Sequence, residues 1–129
     1  MKIVGTAIIF NDDGKILIGQ RPEGKDLAGL WEFPGGKLEY GETVEQCIMR
    51  EIKEELNVDC EVQDFLLDVV KGYKHGVFKL SVFKARIKNE KKLKAIEHQA
   101  IKWVGINELN DYEFPPADVE IIEFLIKNF

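Results

Sequence analysis

Residues 35–58 read GGKLEYGETVEQCIMREIKEELNV, and this stretch decides the fold. Its second half predicts a helix over residues 43–56, because apolar side chains recur at every fourth position, at Val44, Ile48, Ile52 and Leu56. Thr43 and Gln46 have the spacing of a capping box, which satisfies free backbone donors at the start of a helix. Asn57 tolerates the left-handed conformation that ends many helices. The helix therefore has a start signal, an apolar stripe and a stop signal.

Three carboxylates crowd one edge of this helix. At about 100° per residue, Glu51, Glu54 and Glu55 share an arc of roughly 100° beside the apolar stripe. Like charges at these spacings repel by about 0.2–0.5 kcal/mol per exposed pair, and by more where water is scarce. A solvated acidic face is the alternative. On the helical wheel, however, Glu51 and Glu55 fall between Cys47 and Ile48, where residues that face the core belong. The pattern therefore predicts a divalent cation, and Mg²⁺ suits hard carboxylate and phosphate oxygens.

The same stretch resembles the signature of the Nudix hydrolase family, Gly-x5-Glu-x7-Arg-Glu-U-x-Glu-Glu-x-Gly-U, where U is aliphatic. The matching positions, with every spacing kept, are Gly36, Glu42, Arg50, Glu51, Ile52, Glu54, Glu55 and Val58. One position departs, since Asn57 replaces the second Gly of the signature. Three further segments resemble MutT-type members: WEFPGGK at 31–37, Glu97 before Trp103, and FPPAD at 114–118. The resemblance therefore covers nearly the whole chain.

The resemblance implies an α+β fold, an α/β/α sandwich around a central mixed β-sheet. A chain of 129 residues suits a single domain over residues 1–129. The residue patterns predict a hairpin of strands 2–10 and 15–20, long strands at 61–73 and 77–88, and a short strand at 101–104. They also predict a C-terminal helix over 118–128, with Val119, Ile122 and Ile126 on its inner face.

Composition limits the classes of partner. A formal net charge of -5 and a pI near 5.1 argue against binding of long nucleic acids, which needs excess Lys and Arg. The N-terminal apolar run is shorter than a membrane span and lacks a cleavage pattern, so no membrane partner is expected. A small nucleotide stays compatible, because a metal can supply the positive charge. We expect a cytoplasmic protein with reduced cysteines, either a monomer or a homodimer.

The resemblance also implies the chemistry. Mg²⁺, for which Mn²⁺ can substitute, would be held by the Gly35 carbonyl and the carboxylates of Glu51, Glu54, Glu55 and Glu97. Such an ion polarises a phosphate and activates water, so attack at phosphorus would release a nucleoside monophosphate and pyrophosphate. The predicted catalytic residues are Arg50, Glu54, Glu55 and Glu97. Among them Glu55 is expected to be the principal metal ligand, and Glu54 or Glu97 the base that orients the water.

Charged residues around the signature have two interpretations each. Arg50 is expected to hold a catalytic carboxylate, with Glu42 supporting the loop or the metal waters. An ordinary helix pair of Arg50 with Glu54 is the alternative. Arg21 and Lys37 are expected to contact the phosphates, or else to be solvated surface charges.

The resemblance places the base pocket at Phe33 and Asp118. An ionised Asp118 would accept hydrogen bonds only, and would favour base edges with N–H donors such as guanine, oxidised guanine or cytosine. The alternative is a plain N-cap of the last helix. Members that remove 8-oxo-dGTP often carry Asn at this position, whereas members that act on cytosine nucleotides carry Asp. His75 and His98 are expected to lie in loops or at the surface, without metal-binding partners.

The sequence thus predicts a metal-dependent enzyme that cleaves a nucleoside triphosphate, either an oxidised nucleotide such as 8-oxo-dGTP or a cytosine nucleotide. Two alternatives remain: hydrolysis of a dinucleoside polyphosphate or nucleotide sugar, and a nucleotide-binding module without catalysis. The intact carboxylates Glu51, Glu54 and Glu55 favour an enzyme over the non-catalytic module.

Overall fold

The computed structural model describes residues 1–129 and contains seven strands and two α-helices. The strands are β1 Lys2–Ile9, β2 Ile16–Gln20, β3 Trp31–Glu32, β4 Gly35–Lys37, β5 Cys60–Tyr73, β6 Gly76–Ile87 and β7 Ala100–Val104. The helices are α1 Val44–Leu56 and α2 Pro116–Asn128, and short 3-10 turns occupy Glu90–Lys92 and Ile106–Asp111. No helix combines the length and the apolar character that crossing a bilayer requires.

The strands form two sheets. A four-stranded mixed sheet has the order β4-β1-β6-β5, in which β1 runs parallel to β6 and the other neighbours are antiparallel. A three-stranded antiparallel sheet has the order β3-β2-β7. The mixed sheet and its helices confirm the predicted α+β class, and the smaller sheet adds to the single central sheet that was expected.

The predicted hairpin of the first two strands is wrong beyond its turn. The only pairing near the turn is an isolated bridge between Phe10 and Ile16, after which β1 and β2 enter different sheets. The reason is that β1 has a better partner far away in sequence: its eight residues run in register with β6, from Lys2 opposite Phe78 to Ile9 opposite Ala85. Local turn chemistry cannot reveal such a distant partner.

Helix α1 forms as the sequence predicts. Thr43 and Gln46 make both hydrogen bonds of the capping box, and Asn57 ends the helix in the left-handed conformation with φ 61°. The apolar stripe packs with Ala7 and Leu17 in one core cluster. One acid, Glu55, lies in the interior beside this stripe and is almost as buried as its apolar neighbours.

Helix α2 packs in the other core cluster, which contains Ile8 of β1. Because Ala7 and Ile8 point to opposite faces of β1, the two helices cover opposite sides of the mixed sheet. The predicted inner face is right at Ile122 and wrong at Val119 and Ile126, which are 45% and 46% exposed. The buried positions are Ala117, Asp118, Ile121, Ile122 and Leu125. An acid therefore occupies the inner stripe of this helix too.

Candidate active site

Two glycines let the backbone of β4 pack closely, Gly35 against β1 and Gly36 against the carboxylate edge of α1. Gly35 has φ 153°, and a Cβ atom there would collide with the carbonyl oxygen of Gly5. A Cβ atom at Gly36 would lie within 2.6 Å of Glu51 Oε1. This close approach leaves no room for a side chain at Gly36 between β4 and α1.

Glu55 is a buried carboxyl group among other acids. It is 3% exposed, and its Oε2 atom has no hydrogen-bond partner. Burial raises the pKa of Glu55 well above its usual value, and the neighbouring carboxylates of Glu51, Glu32 and Glu97 raise it further. A divalent cation would remove this conflict, because it replaces the lost hydration and neutralises several carboxylates at once. The donor set therefore fits a metal ion.

Arg50 forms hydrogen bonds with the carboxylates next to Glu55. Its guanidinium binds both oxygens of Glu42 and also Glu51 Oε1, the last at 2.7 Å. Its contact with Glu54 is longer, at 3.3 Å. Glu54 itself is exposed, with 52% of its side chain accessible. The structure therefore favours the carboxylate-holding interpretation of Arg50, and the helix pair with Glu54 is a minor part of the same network.

Two residues next to Glu55, Glu32 and His98, were not predicted from the sequence as site residues. His98 is 7% exposed, and its Nε2 lies 2.8 Å from Glu32 Oε2 and 3.7 Å from Glu55 Oε1. Ligand atoms of Glu32, Glu55 and His98 all lie within 4.8 Å of one another, a grouping that could hold a metal ion. His98 lies in a loop, as was one of the two expectations, but the surface position is wrong because the side chain is buried. Gly19 inside strand β2 was the feature that could have indicated a buried neighbour, since glycine in a strand often marks the close approach of another group.

One polar pocket gathers most of the predicted site residues. Its charged and glycine lining comprises Arg21, Lys25, Glu32, Gly35, Gly36, Lys37, Glu51, Glu55, Glu97 and His98. The cationic side chains of Arg21, Lys25 and Lys37 thus share a pocket with the carboxylates. Glu54 is absent from this lining, and Lys25 is an addition that the sequence did not indicate. Arg21 does not stand free, because its Nη1 binds Glu32 Oε1 at 2.9 Å.

A second, more apolar pocket adjoins the first and shares Glu32 and Gly35 with it. Phe33 and Asp118 both line this pocket, and the Phe33 ring stacks on Phe114 with centroids 5.3 Å apart. Asp118 is 6% exposed, and burial raises its pKa to about 8, with the Glu32 carboxylate adding to the shift. The raised pKa of Asp118 favours the neutral acid at pH 7 over the acceptor-only carboxylate that was expected. The N-cap alternative is also wrong, because Pro115 is the N-cap of α2.

Comparison with known proteins agrees with this architecture. A family model described as the NUDIX domain matches residues 5–124. The CTP pyrophosphohydrolase of Escherichia coli K12 is 37% identical over 117 residues, which cover 91% of this chain and 86% of that protein. The 8-oxo-dGTP diphosphatase of the same strain is 32% identical over 120 residues, covering 92% of each.

A solved structure shows the same fold. The solution structure of the E. coli ORF135 protein superposes with a TM-score of 0.84 at 35% identity, covering 98% of this chain and 89% of that one. This likeness confirms the fold that the signature implied. With the family model matching most of the chain, the chain belongs to the NUDIX domain family.

Proposed function

We propose that this protein hydrolyses a nucleoside triphosphate to a nucleoside monophosphate and pyrophosphate, with Mg²⁺ as its cofactor and Mn²⁺ as a substitute. The proposal rests mainly on the burial of Glu55, whose Oε2 has no hydrogen-bond partner. Glu55 lies beside Glu51, which in turn lies against the backbone of Gly36. The relatives named CTP pyrophosphohydrolase and 8-oxo-dGTP diphosphatase support it.

The metal would be held by the part of the predicted ligand set that lines the polar pocket. These ligands are the Gly35 carbonyl and the carboxylates of Glu51, Glu55 and Glu97. When bound, the ion supplies positive charge to a phosphate and lowers the pKa of a water molecule. Arg50 keeps Glu51 turned toward this position through its 2.7 Å hydrogen bond. Glu54, exposed and outside the pocket lining, is at most an outer member of this group.

Two acids were candidates for the base that orients the attacking water. Glu97 lines the polar pocket and is exposed, so it reaches both the solvent and the site. Glu54 is exposed as well, but its carboxylate is engaged by Arg50. We therefore assign the water-orienting role to Glu97, since a base must lie within hydrogen-bond reach of the proton that it takes.

Three cations in the lining of the polar pocket suit the phosphates. Arg21, Lys25 and Lys37 line the same pocket as the carboxylates. Arg21 is held in place by Glu32 and by the Asp26 carbonyl, at 2.9 and 2.7 Å. A guanidinium fixed in this way binds a phosphate at a smaller entropic cost than a free one. We assign Arg21 and Lys37, together with Lys25, to the triphosphate.

The second pocket would hold the base. A neutral Asp118 offers one donor and one acceptor side by side, which matches the N4 amino group and the N3 acceptor of cytosine. A cytosine nucleotide is therefore our first candidate substrate, in keeping with the CTP pyrophosphohydrolase relative. Oxidised guanine also presents an adjacent N–H donor and carbonyl acceptor, so 8-oxo-dGTP is the second candidate, in keeping with the other relative.

A substrate panel with Mg²⁺ tests the proposal. The panel contains CTP, dCTP, 8-oxo-dGTP, dGTP, ADP-ribose and a dinucleoside polyphosphate, and both released pyrophosphate and monophosphate are measured. We expect CTP or dCTP to give the highest kcat/KM, with equal amounts of pyrophosphate and monophosphate. Asp118→Ala should change the ranking of bases more than it lowers turnover on the best substrate. Nucleotide binding without any product would favour the non-catalytic module, and activity on ADP-ribose or the dinucleotide alone would reject the triphosphate.

We also propose that the protein works in the cytoplasm, where nucleoside triphosphates are made. Cys47 and Cys60 are free thiols, as is usual in a reducing compartment. Size-exclusion chromatography with light scattering distinguishes the monomer from the homodimer.

A further inference from the structure

His98 links the two sides of the polar pocket. Its Nε2 lies 2.8 Å from Glu32 Oε2 and 3.7 Å from Glu55 Oε1. The other oxygen of Glu32 accepts a hydrogen bond from Arg21 Nη1 at 2.9 Å. A continuous chain of contacts therefore runs from the phosphate-side cation, through Glu32 and His98, to the buried acid on the metal side.

The two ring nitrogens of His98 have different surroundings. Nε2 lies 2.8 Å from Glu32 Oε2, and a carboxylate accepts the hydrogen bond that an imidazole N–H donates. The other ring nitrogen, Nδ1, is buried without a partner. A metal-bound histidine nearly always donates its second N–H to a partner, so this ring fits the role of a hydrogen-bond donor better than that of a metal ligand.

The His98 ring packs directly against the backbone of Gly19. A Cβ atom at Gly19 would lie 2.6 Å from His98 Cδ2 and 2.8 Å from Nε2. The imidazole thus fills the space that the missing side chain of Gly19 leaves in strand β2. Strand β2 therefore restrains the ring on this side, and the 2.8 Å contact of Nε2 with Glu32 Oε2 restrains it on another.

We propose that His98 is a positioning residue for both halves of the site. Its ring sets the place of Glu55 for the metal ion and, through Glu32, the place of the Arg21 guanidinium for the phosphates. The proposal rests on the proposed function, since it takes Glu55 as a metal ligand and Arg21 as a phosphate ligand. It assigns to His98 no contact with the substrate or the metal.

Three histidine variants test the role of the ring. His98→Leu removes the donor at similar volume, His98→Gln keeps an N–H donor near the position of Nε2, and His75→Gln is the exposed control. The Mn²⁺ dissociation constant is measured by electron paramagnetic resonance without substrate, and KM and kcat are measured with Mg²⁺. For H98L we expect Mn²⁺ affinity to fall by about 10–100-fold, the usual effect of losing an outer-shell partner, and KM to rise. H98Q should recover most of both losses, and H75Q should match the wild type.

Gly19→Ala tests position separately from chemistry. This variant keeps the imidazole but forces it away from Gly19, so it should weaken Mn²⁺ binding and raise KM in the same direction as H98L. It also decides the question if H98L does not fold, as judged by circular dichroism and thermal unfolding. Wild-type Mn²⁺ affinity and KM in a folded G19A would overturn the proposal.

A double variant tests the path through Arg21. If His98 acts on the phosphates only through Glu32 and Arg21, H98L/R21Q should have the same KM as R21Q. If the KM increases of H98L and R21Q instead multiply in the double variant, the path through Arg21 is overturned. If bound Mn²⁺ shows a nitrogen coupling that disappears in H98L, His98 ligates the metal directly and the positioning role is overturned.

Wild-type protein that neither binds Mn²⁺ nor hydrolyses nucleotides would reject the proposed function. An active wild type with unchanged H98L would reject only the role of His98.

Discussion

The guanidinium of Arg50 donates hydrogen bonds to both carboxylate oxygens of Glu42, with Nε 2.7 Å from Oε2 and Nη2 3.0 Å from Oε1. The hydrogen bonds from Arg50 lower the pKa of Glu42, and those same contacts raise the pKa of the guanidinium. Arg50 also donates to Glu51 and to the carbonyl oxygen of Lys37. One cation therefore ties the loop before α1, strand β4 and a predicted metal ligand together.

Arg50→Lys should lower kcat by about 10-fold or more, because an ammonium group cannot reproduce the forked geometry that holds Glu42 and Glu51 together. Steady-state kinetics with Mg²⁺ measures the effect. Lys53→Arg, on an exposed position of the same helix, is the matched control and should keep wild-type kinetics. Wild-type turnover in R50K would mean that the orientation of Glu51 does not matter for the reaction.

Gly36→Ala should reduce activity by about 10–100-fold, because the added methyl group would displace the Glu51 carboxylate. Overpacking of this kind also costs about 1–3 kcal/mol of unfolding free energy, which urea denaturation measures. Gly72→Ala is the control, since no atom lies within 4 Å of a Cβ atom there. Equal activity of the two alanine variants would contradict the close approach of β4 and α1.

The elements that form from local signals could be predicted from the sequence. The capping box of Thr43 and Gln46 and the regular apolar repeat gave the bounds of α1 to within one residue. The pairing of β1 could not be predicted, because its parallel partner β6 lies more than seventy residues along the chain and no local pattern encodes that register.

Buried polar residues explain the other differences between prediction and structure. In α2 the buried positions 118, 121, 122 and 125 have helical spacing, but the first of them is Asp118, so the apolar residues alone indicate a different face. In α1 Glu55 could be predicted, because three acids share one edge of the helix. His98 was missed because its partner Glu32 lies 66 residues away.

In the absence of metal, Asp118→Asn should stabilise the protein by an amount that increases as the pH rises. Burial raises the pKa of Asp118 to about 8 in the folded state, against about 3.9 in the unfolded chain. Between these two values the unfolded chain releases a proton that the folded protein keeps. This group therefore subtracts stability progressively from about pH 4 to pH 8, and the loss is complete above the folded pKa.

The asparagine variant cannot titrate, so the difference in unfolding free energy between D118N and the wild type should be smallest near pH 4. It should grow to a few kcal/mol by pH 8, in favour of the variant. Urea denaturation at pH 4.5, 6 and 8 in the presence of a chelator measures it. Parallel pH profiles would show that Asp118 ionises at the same pH in the folded and unfolded states.

Glu55→Gln isolates the central claim, that a buried acid of α1 exists to bind a divalent ion. The amide keeps the volume of the side chain and removes the charge of the ligand, so turnover should fall by orders of magnitude. The fold should persist, because the change relieves a buried carboxyl group whose pKa is raised by burial. Thermal unfolding without metal checks that the variant is folded.

The most direct measurement is a titration of wild-type protein and E55Q with Mn²⁺ in the presence of a non-hydrolysable CTP analogue, followed by electron paramagnetic resonance. We predict saturable binding to the wild type and a loss of at least about 10-fold in affinity for the folded variant. Equal Mn²⁺ affinity of the two proteins, or no saturable binding to the wild type, would contradict the account.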